Sequence, residues 1–116
     1  MLIKNLCDFD EFETVELCDS ADEEIKQIIV SELMSDVLTE DSGGNIILVT
    51  GLCTEQAIRT ASMVDALAVI ITTGKKITAS MLKIAKDAGI SLFATKLRNY
   101  EVCKLFSGKL TEATVA

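Results

Sequence analysis

Asn45-Ile46-Ile47-Leu48-Val49-Thr50-Gly51, then Ala68-Val69-Ile70-Ile71-Thr72-Thr73-Gly74, then Ser91-Leu92-Phe93-Ala94-Thr95: these three runs decide the fold. Each is a short apolar run that ends in threonine, and the first two pass straight into glycine. They start at positions 46, 68 and 91, spacings of 22 and 23 residues. Continuous apolar runs of this length fit strands covered on both faces. Each gap holds a helical pattern, so the stretch from Asn45 to Thr95 reads as a β-α-β-α-β unit with its turns on one edge.

The first gap places Ala57, Ile58, Ala61 and Val64 on one helical face, with Thr54 as N-cap. Small residues at Ala57 and Ala61 let that helix sit close to the sheet. In the second gap Thr78 caps a helix with Met81, Leu82, Ala85 and Ala88 inward, and Gly89 stops it. Downstream, Arg98 to Ser107 predicts a last helix with Val102, Cys103 and Phe106 inward and Gly108 as terminator. Lys109 to Ala116 is expected to be a flexible tail. Upstream, Ile25 to Val30 predicts a strand. Leu33, Met34, Val37 and Leu38 predict a short helix with Ser31 as N-cap, closed by Asp41-Ser42-Gly43-Gly44-Asn45. The first 24 residues are harder to read: Leu2, Ile3, Leu6 and Phe9 suit a short helix, Phe12 to Cys18 a strand, and Asp19 to Glu24 a polar turn. The whole is one domain, α/β in class, a small three-layer α/β/α sandwich around a mostly parallel open sheet of about four to five strands.

Composition narrows the function. The chain has 116 residues, 49% of them hydrophobic, and a formal net charge of -7. An acidic surface repels phosphate backbones, so nucleic acid is not an expected partner. No apolar run approaches the roughly 20 residues that span a bilayer, and the first residues lack a signal-peptide core. The expectation is a cytoplasmic protein with no membrane partner. There is no histidine, and Cys7, Cys18, Cys53 and Cys103 form no C-x-x-C pair. No metal site and no cofactor are expected on that basis. Buried cysteines in a reducing compartment act as small hydrophobes; Cys53, near a helix start, is where a stabilised thiolate is expected if anywhere.

In an open parallel sheet, ligands bind beyond the carboxyl ends of the strands. The candidate ligand-binding residues there are Thr50, Gly51, Thr54, Thr72, Thr73, Gly74, Lys75, Thr95 and Lys96. Threonine hydroxyls, helix N-terminal amides and the cations Lys75, Lys76, Lys96 and Arg98 suit a small anion. The bland alternative is that the threonines cap helices and the lysines solubilise loops. Catalysis is argued against: no base histidine, no nucleophile elbow, and neither G-x-x-x-x-G-K-[ST] nor G-x-G-x-x-G is present. No catalytic residue is assigned.

The segments Val30-Ser31-Glu32-Leu33-Met34-Ser35-Asp36-Val37-Leu38, Ile46 to Gly51, Ile70-Ile71-Thr72-Thr73-Gly74 and Ala85 to Thr95 together resemble the DRTGG domain, over Ile25 to about Phe106. The likeness is strongest to small stand-alone bacterial members, some encoded beside iron hydrogenases. It implies a three-layer α/β/α fold and a regulatory or dimer-forming role without an activity of its own, as in the regulatory regions of some phosphotransacetylases and pyrophosphatases. Where that family often has Gly-Asp-Arg, this chain has Gly51-Leu52-Cys53; where it has Thr-Gly-Gly, this chain has Thr73-Gly74-Lys75. The resulting expectation is a non-catalytic regulatory module, homodimeric, with a regulated enzyme as partner and a small anionic ligand at the strand ends. The alternatives are a nucleotide or phosphate sensor, and a redox-linked accessory protein of an iron–sulfur enzyme such as hydrogenase.

Overall fold

The alternation of side chains along each apolar run builds two cores at once. The computed structural model describes residues 1–38 and 44–107, and the backbone of 112–115. Its strands are β1 (Phe12–Glu16), β2 (Gln27–Val30), β3 (Ile46–Thr50), β4 (Ala68–Ile71), β5 (Ser91–Thr95) and β6 (Glu112–Val115). Its helices are α1 (Met34–Val37), α2 (Glu55–Met63), α3 (Ala79–Ala88) and α4 (Asn99–Phe106). Ile29, Ile46, Leu48, Val69, Ile71 and Leu92 face one layer, with α1, α2 and α3. Ile28, Val30, Ile47, Val49, Ala68, Ile70 and Phe93 face the other, with α4 and the N-terminal segment. Period-two alternation sends neighbouring residues to opposite faces, so a continuous apolar run serves both layers.

Topology explains which helix lies where. The sheet order is β1-β5-β4-β3-β2-β6. Strands β2, β3, β4 and β5 stand side by side in chain order and are parallel. Successive right-handed crossovers in one direction put their helices on one face, hence α1, α2 and α3 together. From β5 the chain returns across the whole sheet to β6, which pairs parallel with β2. Moving the opposite way with the same hand places α4 on the opposite face, where Val102 and Phe106 are buried.

The expected caps are present. Thr54 Oγ1 accepts from the Ala57 N–H at 3.2 Å, and Thr78 Oγ1 from the Met81 N–H at 3.2 Å. Gly89 ends α3 with φ 72°, a left-handed residue that glycine adopts without cost. Ala57 and Ala61 are fully buried under α2. The N-terminal residues form a 3-10 helix, Ile3–Asp8, that buries Ile3 and Leu6. Phe9, Phe12 and Phe106 then meet as a ring cluster with centroids 5.3, 5.9 and 6.1 Å apart, fixing the N-terminal segment to α4.

Several expectations need correction. The expected α/β sheet is present, including the strand expected at Phe12 to Cys18, and one further edge strand, β6, brings the count to six. Strand β1 is antiparallel to β5. The expected tail is interrupted: residues 112–115 pair with Gln27–Val30, while 109–111 and 116 lie outside the described residues, as do Gly108 and Asp41-Ser42-Gly43. Ser31 is not the cap of α1; its hydroxyl accepts from the Leu33 N–H at 3.0 Å, before the helix begins. Ala88 is exposed, and Leu82 and Cys103 are half-buried, because α3 and α4 each bury a narrower stripe than the apolar spacing suggests.

Candidate functional site

The strand ends share one local device. Ser31 after β2, Thr50 at the end of β3 and Thr95 at the end of β5 each accept, through the hydroxyl, the N–H two residues on. The acceptor-to-donor distances are 3.0, 3.1 and 3.2 Å for Leu33, Leu52 and Leu97. Such side-chain turns stand in for a backbone turn and redirect the chain out of the sheet. The recurring threonine is thus a way of leaving a buried strand, which is the blander of the two sequence readings for Thr50 and Thr95.

Strand β4 departs from this pattern. Thr72 instead donates its hydroxyl to Asn99 Oδ1 at 2.5 Å. Thr73 follows with φ 65° and Gly74 with φ 71°. A β-branched residue in the left-handed region is strained. The strain is held by two hydrogen bonds, one into the β5–α4 loop and one to the end of β5: the Thr73 N–H donates to Leu97 O at 2.8 Å and the Gly74 N–H to Thr95 O at 2.9 Å.

At the end of β3 the turn is closed by a residue that the sequence reading passed over. The Glu32 carboxylate accepts the Gly51 N–H at 2.8 Å, the Thr50 hydroxyl at 3.1 Å and the Asn99 side-chain amide at 2.9 Å. Asn99 in turn accepts from Thr72. Glu32 therefore ties the ends of β2, β3 and β4 to the first residue of α4. Gly51 is needed for this approach: a Cβ there would lie 2.8 Å from Glu32 Oε1 and 3.3 Å from Thr72 Oγ1. An external anion at the Gly51 amide would meet a carboxylate already seated there. Lys75 Nζ donates to the Gly51 carbonyl, which adds a second tie to the same turn.

The candidate residues thus divide into groups. Thr50, Gly51 and Thr72 belong to the Glu32 network; Thr54 is a helix cap; Thr73 shapes a turn. Gly74, Lys75, Thr95 and Lys96 do come together, in a crevice of about 510 Å³ completed by Asp10, Glu11, Phe12, Glu13, Ala94 and Leu97. This crevice lies beside the one pair of adjacent parallel strands, β4 and β5, whose connections leave to opposite faces of the sheet. That switch point is where open α/β sheets place ligands. The antiparallel edge strand β1 supplies the far wall, because Phe12 pairs with Thr95 and the Thr95 hydroxyl donates to Glu11 O at 2.7 Å. The lining therefore includes two lysines, Lys75 and Lys96, and three acidic residues, Asp10, Glu11 and Glu13; the Lys75 ammonium itself reaches the Gly51 carbonyl. That residues 10–13 meet residues 94–97 depends on the long-range pairing of β1 with β5, which no local pattern encodes.

Burial works against the thiolate at three of the cysteines, Cys18, Cys53 and Cys103. Cys53 Sγ packs 3.7 Å from Met81 Sδ and donates to Lys76 O at 3.3 Å. Burial pushes its thiol above the ordinary value, and the nearby Lys75 charge offsets this only in part. The expectation of a stabilised thiolate at the start of α2 is thereby corrected. Burial likewise raises Cys103, and burial with Glu16 and Asp19 raises Cys18. Among the described residues no cluster of three metal-ligating side chains occurs, and no helix is long and apolar enough to cross a membrane.

Comparison with protein-family models gives no match, and comparison with curated proteins gives none.

Proposed function

We propose that this chain is a non-catalytic regulatory module of the DRTGG type that binds a small phosphorylated ligand in the β4/β5 crevice. The carrying observation is the position and lining of that crevice. Lys96 lines the switch point, where its ammonium would hold a phosphate group, while the Lys75 ammonium is engaged with the Gly51 carbonyl. Asp10, Glu11 and Glu13 also line the crevice and suit the hydroxyl or amine donors of a nucleotide's sugar and base. A regulatory role is favoured over catalysis by what the polar groups of the edge already do. The hydroxyls of Thr50, Thr72 and Thr95 and the amides of Gly51, Thr73 and Gly74 are engaged in holding turns.

Self-association belongs to the same reading. Helices α1 and α2 leave Leu38 and Met63 exposed, at 49% and 69% of their full area. Two-fold dimers are the commonest way for a small protein to cover such residues. A regulated enzyme would then be the partner of the dimer. The redox-accessory alternative draws no support from Cys53, whose thiol is raised rather than lowered.

Thermal-shift measurements with adenine and guanine nucleotides and with inorganic phosphate test the ligand reading. A nucleotide is expected to raise Tm, and Lys96→Ala is expected to abolish the rise. No shift with any nucleotide, or a shift that survives Lys96→Ala, removes the proposal. Light scattering tests self-association, and a monomer at tens of micromolar contradicts it.

A further inference from the structure

A second cavity, sharing no lining residue with the β4/β5 crevice, opens where β2 runs into α1 and α4 begins. It encloses about 550 Å³ and is lined by Val30, Ser31, Glu32, Leu33, Asp36, Asn99, Tyr100 and Cys103. Its character is unlike that of the crevice. Leu33 and Tyr100 stand at its rim with 58% and 63% of their area exposed, and Val30 and Cys103 add apolar wall. Both charged groups in the lining are carboxylates, Glu32 and Asp36, and no lysine or arginine is among these residues.

Glu32 is the decisive group. Its carboxylate is fixed in place by three donors, the Gly51 N–H, the Thr50 hydroxyl and the Asn99 amide. All three are neutral, so its negative charge is oriented but not cancelled; among the described residues no ion pair involves it. Oε1 takes two of the three bonds and Oε2 one, which leaves Oε2 an acceptor position. A preorganised carboxylate, apolar walls and the face of an exposed tyrosine are the elements that recognise an ammonium or guanidinium group on an apolar body. The net charge of -7 favours the approach of such a cation.

We infer that this groove is a binding site for a small organic cation, an amine carried on an apolar or aromatic body. The ammonium group sits on Glu32 and the body lies between Leu33 and Tyr100. The inference does not depend on the crevice reading, since nucleotide and amine would occupy different residues.

The test is an NMR titration with 2-phenylethylamine, with 2-phenylethanol as the uncharged control. The amine is expected to perturb the amides of Glu32, Leu33, Asn99 and Tyr100 and to bind at least about tenfold more tightly than the alcohol, as one charge-assisted bond implies. Tyr100→Ala, a change at an exposed side chain, and Glu32→Gln, which keeps an acceptor for the Gly51 N–H, should each weaken the amine by about tenfold. Equal binding of amine and alcohol, absence of amine binding at millimolar concentration, or amine binding untouched by Tyr100→Ala each overturns the assignment. A lysine-bearing apolar peptide that binds where the amine does not also overturns it, in favour of a protein partner.

Discussion

Replacing Gly51 by alanine isolates the role of Glu32 in holding the sheet edge. The added Cβ would stand 2.8 Å from Glu32 Oε1 and 3.3 Å from Thr72 Oγ1. The first distance forces a movement, and the end of the Glu32 side chain is the part free to move. Displacement costs the hydrogen bond from the Gly51 N–H, and with it the alignment to the Thr50 hydroxyl and Asn99. A hydrogen bond to a charged group contributes about 1.5–3 kcal/mol. Glu32 is exposed, so solvent returns part of that, and a net loss of about 1–2 kcal/mol is expected. For a domain of this size that corresponds to roughly 4–8 °C in Tm. Gly51 is not in the left-handed region, so alanine has no intrinsic backbone penalty there. In a Glu32→Ala background the carboxylate that the Cβ meets is gone, so the same substitution should cost about 1–2 kcal/mol less, the effect of alanine on the unfolded chain being common to both backgrounds. Urea unfolding of the four proteins of this cycle, with unchanged m-values, provides the measurement. Equal costs in the two backgrounds would refute the reasoning, because the carboxylate would then not be what the Cβ meets.

Other outcomes follow from the same structure. Thr54→Ala and Thr78→Ala each remove an N-cap bond and should cost about 1 kcal/mol, additively in the double variant, as read by chemical denaturation. Thr73→Gly should stabilise by roughly 0.5–1 kcal/mol, because glycine adopts φ 65° without the strain of a β-branched side chain; destabilisation would show that the Thr73 hydroxyl bond to Thr72 O matters more. Cys18, Cys53 and Cys103 have thiols raised in the folded state by burial, so their contribution is fully present below the thiol pKa of the unfolded chain and is lost as pH climbs through the raised folded values. Under reducing conditions the urea midpoint should therefore fall above about pH 8.5, and replacing all three by serine or alanine should flatten that decline. Deleting residues 112–116 should lower stability and promote aggregation, detected by light scattering, because it uncovers the edge of β2.

Much of the architecture was legible because two local signals agree along the central stretch. Apolar runs gave β3, β4 and β5 nearly to the residue, and Thr54, Thr78 and Gly89 marked the helix ends through chemistry that acts within four residues. Long-range pairing was not legible. The strand over Phe12 to Glu16 was expected, but not its antiparallel pairing with β5, and β6 lies in a segment whose pattern does not require a strand. Glu32 escaped notice for a similar reason. It is one of 18 acidic residues, and only the fold brings it to the Gly51 amide. Thr73 ran against its propensity: threonine disfavours the left-handed region, and the bonds of Thr73 and Gly74 to Leu97 O and Thr95 O impose it. The threonine recurrence was visible, but its meaning was not. The same residue type serves as turn acceptor in Thr50 and Thr95, as donor to Asn99 in Thr72, and as helix cap in Thr54 and Thr78.

The claim that ligand recognition sits at the β4/β5 switch point, and not at the glycine turn after β3, is tested most directly by an amide-detected NMR titration with ATP and with inorganic phosphate. ATP is expected to perturb Gly74, Lys75, Thr95, Lys96 and Leu97 together with Glu11 and Phe12, while Gly51 and Leu52 stay fixed under Glu32 and Thr50. Perturbation centred on Gly51 to Thr54, or no perturbation by either ligand, would contradict it.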